Sequence, residues 1–123
     1  SASLDPGDAL SLHVMRVAAQ IAGDPLDEAV LSRALAAAPY NAYYFRRAFR
    51  DRISRTPQKF QEFKKMEKAM NILAVGRSVK ETAGLVGYDD PYFFSRMFKR
   101  HMGTSPANYQ LKVRQGGSWQ YAE

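Results

Sequence analysis

Apolar residues recur along this chain at three- and four-residue intervals, with no sustained alternation, and this pattern predicts helices and no strands. Leu10, Val14, Val17, Ala18 and Ile21 mark a first amphipathic helix over 10–21. Asp27 and Glu28 open a short alanine-rich helix to about residue 38, with acids where the helix dipole favours them. Pro39 is expected to stop it. Asn41 then caps a helix over 42–53, whose stripe is Phe45, Ala48, Phe49 and Ile53. Thr56 caps a longer helix over 57–75, ended by Gly76, with Phe60, Phe63, Met66, Met70 and Leu73 on one face. Ser78 caps a helix over 79–86 that Gly87 closes. Asp89 or Asp90 caps the next, with Pro91 as its first residue and Phe94, Met97, Phe98 and Met102 as its stripe. Ser105 caps a last helix starting at Pro106, and beyond Gln115 a Gly-Gly-Ser stretch reads as a fraying tail.

Two of these stripes are the same stripe. At an offset of 49 residues, Tyr44-Phe45-Arg46-Arg47-Ala48-Phe49-Arg50 is answered by Phe93-Phe94-Ser95-Arg96-Met97-Phe98-Lys99. Thr56-Pro57 is answered by Ser105-Pro106, Phe60-Gln61 by Tyr109-Gln110, and Val30, Ala34 and Tyr43 by Val79, Ala83 and Tyr92. The chain therefore holds two copies of one helix-turn-helix unit, joined by the long helix. The fold class is all-α.

Charge changes the picture. The net charge is +6, and the segment from Arg46 to Lys68 holds nine basic residues against three acidic ones. The remainder is balanced, so the whole excess sits in one segment, as a polyanion-binding surface requires. Other chemistries fall away. The chain has no cysteine, and its two histidines, His13 and His101, lack a second ligand at metal spacing. No Ser-His-Asp pattern or Gly-rich phosphate loop is present, so no catalysis and no cofactor are expected. No apolar run approaches the roughly 20 residues that span a bilayer, and the N-terminus does not read as a signal peptide. A chain of 123 residues opening on Ser-Ala without Met reads as one domain cut from a longer protein.

Advancing about 100° per residue from Phe45 places Tyr43, Arg47 and Arg50 on the outward side of their helix, with Arg46 at its edge. The same steps turn Tyr92, Arg96 and Lys99 outward, with Ser95 at the edge. A major groove admits one helix, whose N-terminal half meets base edges while later residues reach phosphates. Tyr43, Arg46, Arg47, Tyr92, Ser95 and Arg96 are thus the base-reading candidates, with Arg50 and Lys99 placed for the backbone. The linking helix, about 18 residues or 27 Å, nearly separates the two units by one turn of B-DNA, about 34 Å, and reads as a rigid spacer. Blander readings exist: Arg47 pairs with Asp51 four residues on, Lys64, Lys65 and Lys68 are merely solvated, and His101 packs beside the core. A basic helical surface also serves RNA or a protein partner.

The second copy, Gly87-Tyr88-Asp89-Asp90-Pro91-Tyr92-Phe93-Phe94-Ser95-Arg96-Met97-Phe98-Lys99-Arg100 followed by Gly103-Thr104-Ser105-Pro106-Ala107-Asn108-Tyr109, resembles the AraC/XylS family of bacterial transcription regulators. The resemblance runs over about 10–115. It implies seven helices, with a first unit over 8–56, a connecting helix over 57–75, a second unit over 76–115 and a tail over 116–123. It implies recognition helices over 42–52 and 91–101 in successive major grooves of double-stranded DNA. It further implies a cytoplasmic regulator, an activator rather than a repressor, that contacts RNA polymerase and carries an effector-binding, dimerising or receiver domain elsewhere. The first copy departs from the pattern: Ser54 stands where Gly103 does, at a turn expected to want positive φ, and Ala36 to Ala38 replace the usual turn residues.

Overall fold

Seven helices form from this pattern: α1 (Pro6–Gly23), α2 (Val30–Ala37), α3 (Ala42–Ile53), α4 (Pro57–Ala74), α5 (Val79–Leu85), α6 (Pro91–Met102) and α7 (Pro106–Arg114). The structure is a computed structural model that describes residues 6–37 and 41–116, with side chains from Ala9 onward, and no strand occurs among the described residues. The expected stop at Pro39 and the tail beyond Gly116 lie outside those residues. The chain divides into two compact units, with the boundary inside α4 after Lys64.

In the first unit, the stripes of α1, α2 and α3 meet. Val14, Val17, Ala18 and Ile21 pack with Val30, Ala34, Phe45, Ala48 and Phe49, and Leu10, Leu31, Leu35, Ile53 and Phe60 close over them. In the second unit the buried set includes Met66, Ala69 and Leu73 of α4, Thr82 and Ala83 of α5, then Val86, with Phe94, Met97, Phe98 and Met102 of α6, Thr104, and Pro106 and Tyr109 of α7. The aromatic spine repeats between units. Phe45 to Phe49 and Phe94 to Phe98 are each 5.9 Å between ring centroids, while Phe49–Phe60 at 5.6 Å answers Phe98–Tyr109 at 5.9 Å.

Caps set the helix boundaries. The side chain of Asn41 accepts from the Tyr44 amide at 2.9 Å, Asp90 from the Tyr92 amide at 2.9 Å, and Ser105 from the Asn108 amide at 3.1 Å. Thr56 accepts more loosely from Lys59, at 3.3 Å. At the far end of α3, Ser54 sits at φ 73, and its N–H donates to the Arg50 carbonyl at 2.8 Å; Gly103 after α6 repeats both, at φ 79 and 2.8 Å to Lys99. After α5, Gly87 at φ 90 completes a Schellman motif, with its N–H on Gly84 and that of Tyr88 on Ala83.

Three expectations are corrected. The first helix is longer than 10–21, because Pro6 fits an opening turn and the backbone bonds continue to Gly23. Helix α2 starts at Val30 rather than at Asp27, because the Asp27 carboxylate accepts from the Ala29 amide at 3.0 Å and pairs with Arg33, holding 27–29 as a turn. On α4 the buried positions include Gln61 and Ala69, while Phe60, Phe63 and Met70 are only half-buried.

Candidate nucleic-acid interface

Both outward helix faces rest on a scaffold that has used up some of the nearby charge. Arg52, on the inner edge of α3, donates through Nε to Ser11 Oγ on α1 at 2.6 Å and through a terminal nitrogen to the Ala48 carbonyl at 3.4 Å. Arg55 lies over the Phe63 ring, 4.1 Å from its centroid, and Lys64 over Phe60 at 5.4 Å. These cations brace the first unit. Arg46, Arg47 and Arg50 remain exposed on the other side of α3.

Sequence reasoning missed the device that fixes each unit's opening. Gln61 is 7% exposed, and its amide donates to the Pro25 carbonyl at 3.1 Å and the Asp27 carbonyl at 2.9 Å. Gln110, 49 residues on, donates to Leu73 at 2.9 Å and Arg77 at 2.7 Å. In each unit one side-chain amide donates to two carbonyls on the approach to the first helix-turn-helix helix, those of Pro25 and Asp27 before α2 and those of Leu73 and Arg77 before α5. The recurrence of Gln at the repeat offset was the available signal.

The four first-unit candidates come together. Tyr43, Arg46, Arg47 and Arg50 line one open cavity of about 560 Å³, together with Asp51 and Thr56. Tyr43 is 66% exposed and stands edge-on to Tyr44, 6.1 Å away. No ion pair joins Arg47 to Asp51 among the described residues, so the guanidinium is not held in the i to i+4 pair that the sequence allows. The second-unit candidates divide. Tyr92, 81% exposed, and Ser95 line an open cavity of about 470 Å³ with Val79, Lys80 and Pro91. Arg96 and Lys99 are exposed but lie outside it, and the Arg96 guanidinium rests 5.7 Å from the Phe93 ring centroid. Asp51, Thr56, Val79, Lys80 and Pro91 were not among the sequence candidates, because they come from helix starts and edges that periodicity does not assign to an outward face. No cluster of metal-ligating side chains occurs among the described residues, and none of their helices is long and apolar enough to cross a membrane.

Comparison with known proteins follows the same lines. A helix-turn-helix domain family matches residues 35–112. The MmsAB operon regulatory protein of Pseudomonas aeruginosa is 37% identical over 87 residues, which are 70% of this chain and 28% of that protein. The raffinose operon transcriptional regulatory protein RafR of Pediococcus pentosaceus is 34% identical over 71 residues, 57% of this chain and 26% of that protein. The chain thus spans roughly a quarter of the length of these relatives. Among solved structures, the C-terminal domain of AraT, a response regulator from Geobacillus stearothermophilus, shares the fold with a TM-score of 0.70 at 24% identity, covering 99% of this chain and 95% of that one. A DNA-binding transcriptional dual regulator from Escherichia coli K-12 gives 0.68 at 22%, covering 94% and 99%.

Proposed function

From the premise that the chain belongs to the AraC/XylS-type helix-turn-helix family of DNA-binding transcription regulators, we propose that α3 and α6 are its recognition helices and read successive major grooves of one duplex. The observation that carries this reading is the convergence of Tyr43, Arg46, Arg47 and Arg50 on one solvent-open concavity, over a helix whose other side buries Phe45, Ala48 and Phe49. Three guanidinium groups there suit guanine edges and phosphate oxygens, which arginine binds through two parallel hydrogen bonds. Tyr43, Arg46, Arg47, Tyr92, Ser95 and Arg96 read bases, while Arg50 and Lys99 hold phosphates. The whole protein works in the cytoplasm as a regulator rather than a catalyst, activating transcription through RNA polymerase, with an effector-binding, dimerising or receiver domain in the rest of its length.

The test is binding of the fragment to duplexes selected from sheared genomic DNA. The fragment binds as a monomer, and log affinity falls with log salt at a slope of about −5 to −7, for roughly six to eight neutralised phosphates. Arg96→Ala costs roughly 1–3 kcal/mol on the preferred site and relaxes the choice at one or two base pairs, whereas Lys99→Ala weakens all sequences alike and flattens the slope by about one. Equal affinity for any duplex, RNA or acidic polymer overturns the reading.

A further inference from the structure

The two open cavities differ in chemistry although they flank equivalent helices. The first holds three arginines and an aspartate. The second is lined by Val79, Pro91, Tyr92 and Ser95, with Lys80 as its one charged residue. It joins the first turns of α5 and α6, and it contains Tyr92 and Ser95, which the proposed reading turns toward the bases. Tyr92 leaves most of its ring in water, a cost that an apolar ligand group would remove.

Of the four bases, only thymine carries an apolar group into the major groove, its 5-methyl, beside an O4 acceptor. Guanine offers two acceptors, and cytosine and adenine each offer an amino donor. Resting on the DNA-reading function above, we propose that the Val79–Pro91–Tyr92 notch receives the 5-methyl group of a thymine. The Ser95 hydroxyl donates to the O4 of that base, and Lys80 at the edge meets a flanking phosphate. The first unit's cavity has Tyr43 in the place of Tyr92 but three arginines and no counterpart of Val79 or Pro91 in its lining, so the two units read different base chemistry. The first takes purine acceptors and the second takes a methyl group. Lys80 sets no sequence preference, because a point charge meets every phosphate alike.

The experiment replaces each thymine of the selected duplex, one at a time, by deoxyuridine, which removes the methyl and keeps O4 and base pairing. One or two positions weaken binding about three- to fivefold, the effect of leaving a single methyl unburied. In Tyr92→Ala and in Val79→Ser that penalty disappears at the same positions, while Tyr92→Phe keeps it, because the ring and not the hydroxyl makes the contact. Circular dichroism and the salt slope report whether each variant is folded and still meets phosphates. A duplex that is preferred yet indifferent to every deoxyuridine overturns this inference and leaves the DNA-reading function standing. A penalty that persists unchanged in both Tyr92→Ala and Val79→Ser overturns it too. Absence of any preferred duplex removes the DNA-reading function itself, and this inference with it.

Discussion

Ser54 holds a left-handed backbone, φ 73, that a side chain resists, because its Cβ crowds the following carbonyl. The structure keeps it there because its N–H must close α3 on the Arg50 carbonyl, as Gly103 closes α6 on Lys99. Ser54→Gly should therefore stabilise the first unit by a few tenths to about 1 kcal/mol, the strain relieved being partly offset by the freer unfolded chain. Gly103→Ser should destabilise the second unit by a similar amount. Urea unfolding followed by circular dichroism measures both, and a destabilising Ser54→Gly would contradict the strain. The need for positive φ at Ser54 was legible in the sequence because its repeat partner is glycine. So were the caps Asn41, Ser78 and Ser105, which act within a few residues of themselves. The roles of Arg52 and Gln61 were not legible, since their partners Ser11, Pro25 and Asp27 lie 34 to 41 residues away along the chain. No local spacing contains that information.

At the scale of helices, α2 and α5 show how the same element starts in two ways. Ser78 and Glu81 form a capping box: the Glu81 amide donates to the Ser78 hydroxyl at 3.1 Å, and that hydroxyl donates to the Glu81 carboxylate at 3.1 Å. In the first copy Ala29 takes the place of Ser78 and caps nothing, so Asp27 reaches forward to the Ala29 amide instead. Both helices nonetheless start at equivalent valines, Val30 and Val79. The repeat held the correct start of α2, and acid placement misled because an aspartate that bonds its own neighbour's amide makes a turn as readily as a helix. The bounds of α3 and α6 were legible nearly to the residue, because period, cap and stop coincide there. Both carboxylates carry a pH signature. Glu81 is held below the ordinary glutamate value by the Ser78 hydroxyl first, then by the Ser78 amide and Arg77; Asp27 is lowered by Arg33 first, then by the Ala29 amide. A lowered folded value means stability that is present above the unfolded value and lost as pH falls through the folded one. The stability lost on acidification from neutral pH to below about 4 should shrink in Glu81→Gln for the second unit and in Asp27→Asn for the first. An acid dependence unchanged by both substitutions would refute these two assignments.

Across the whole molecule, the sequence located the positive excess correctly but not its division of labour. Of the five arginines between Arg46 and Arg55, the structure commits Arg52 and Arg55 to the scaffold and leaves Arg46, Arg47 and Arg50 around one cavity. In the second unit Lys80 is the one charged residue lining the cavity, and Arg96 lies beside Phe93. Affinity should therefore come mainly from the first unit. Replacing Arg46 and Arg47 together by Ala should weaken duplex binding by about tenfold or more, and by more than replacing Ser95 and Arg96 together. Anisotropy titrations at one salt concentration compare them, and an equal or larger loss from the second pair, with both folds intact, would refute the assignment. The paired glutamines have a different consequence. Gln61 on α4 fastens the link between α1 and α2 in the first unit, while the Leu73 carbonyl near the other end of α4 is fastened by Gln110 of the second. A single continuous helix thus contributes to two compact units, each of which should open on its own. In native-state hydrogen exchange its amides should sort into two classes. Those before Lys64 should become exposed whenever the first unit opens, those after it whenever the second does, and the step in protection should fall in the middle of an unbroken helix rather than at either end.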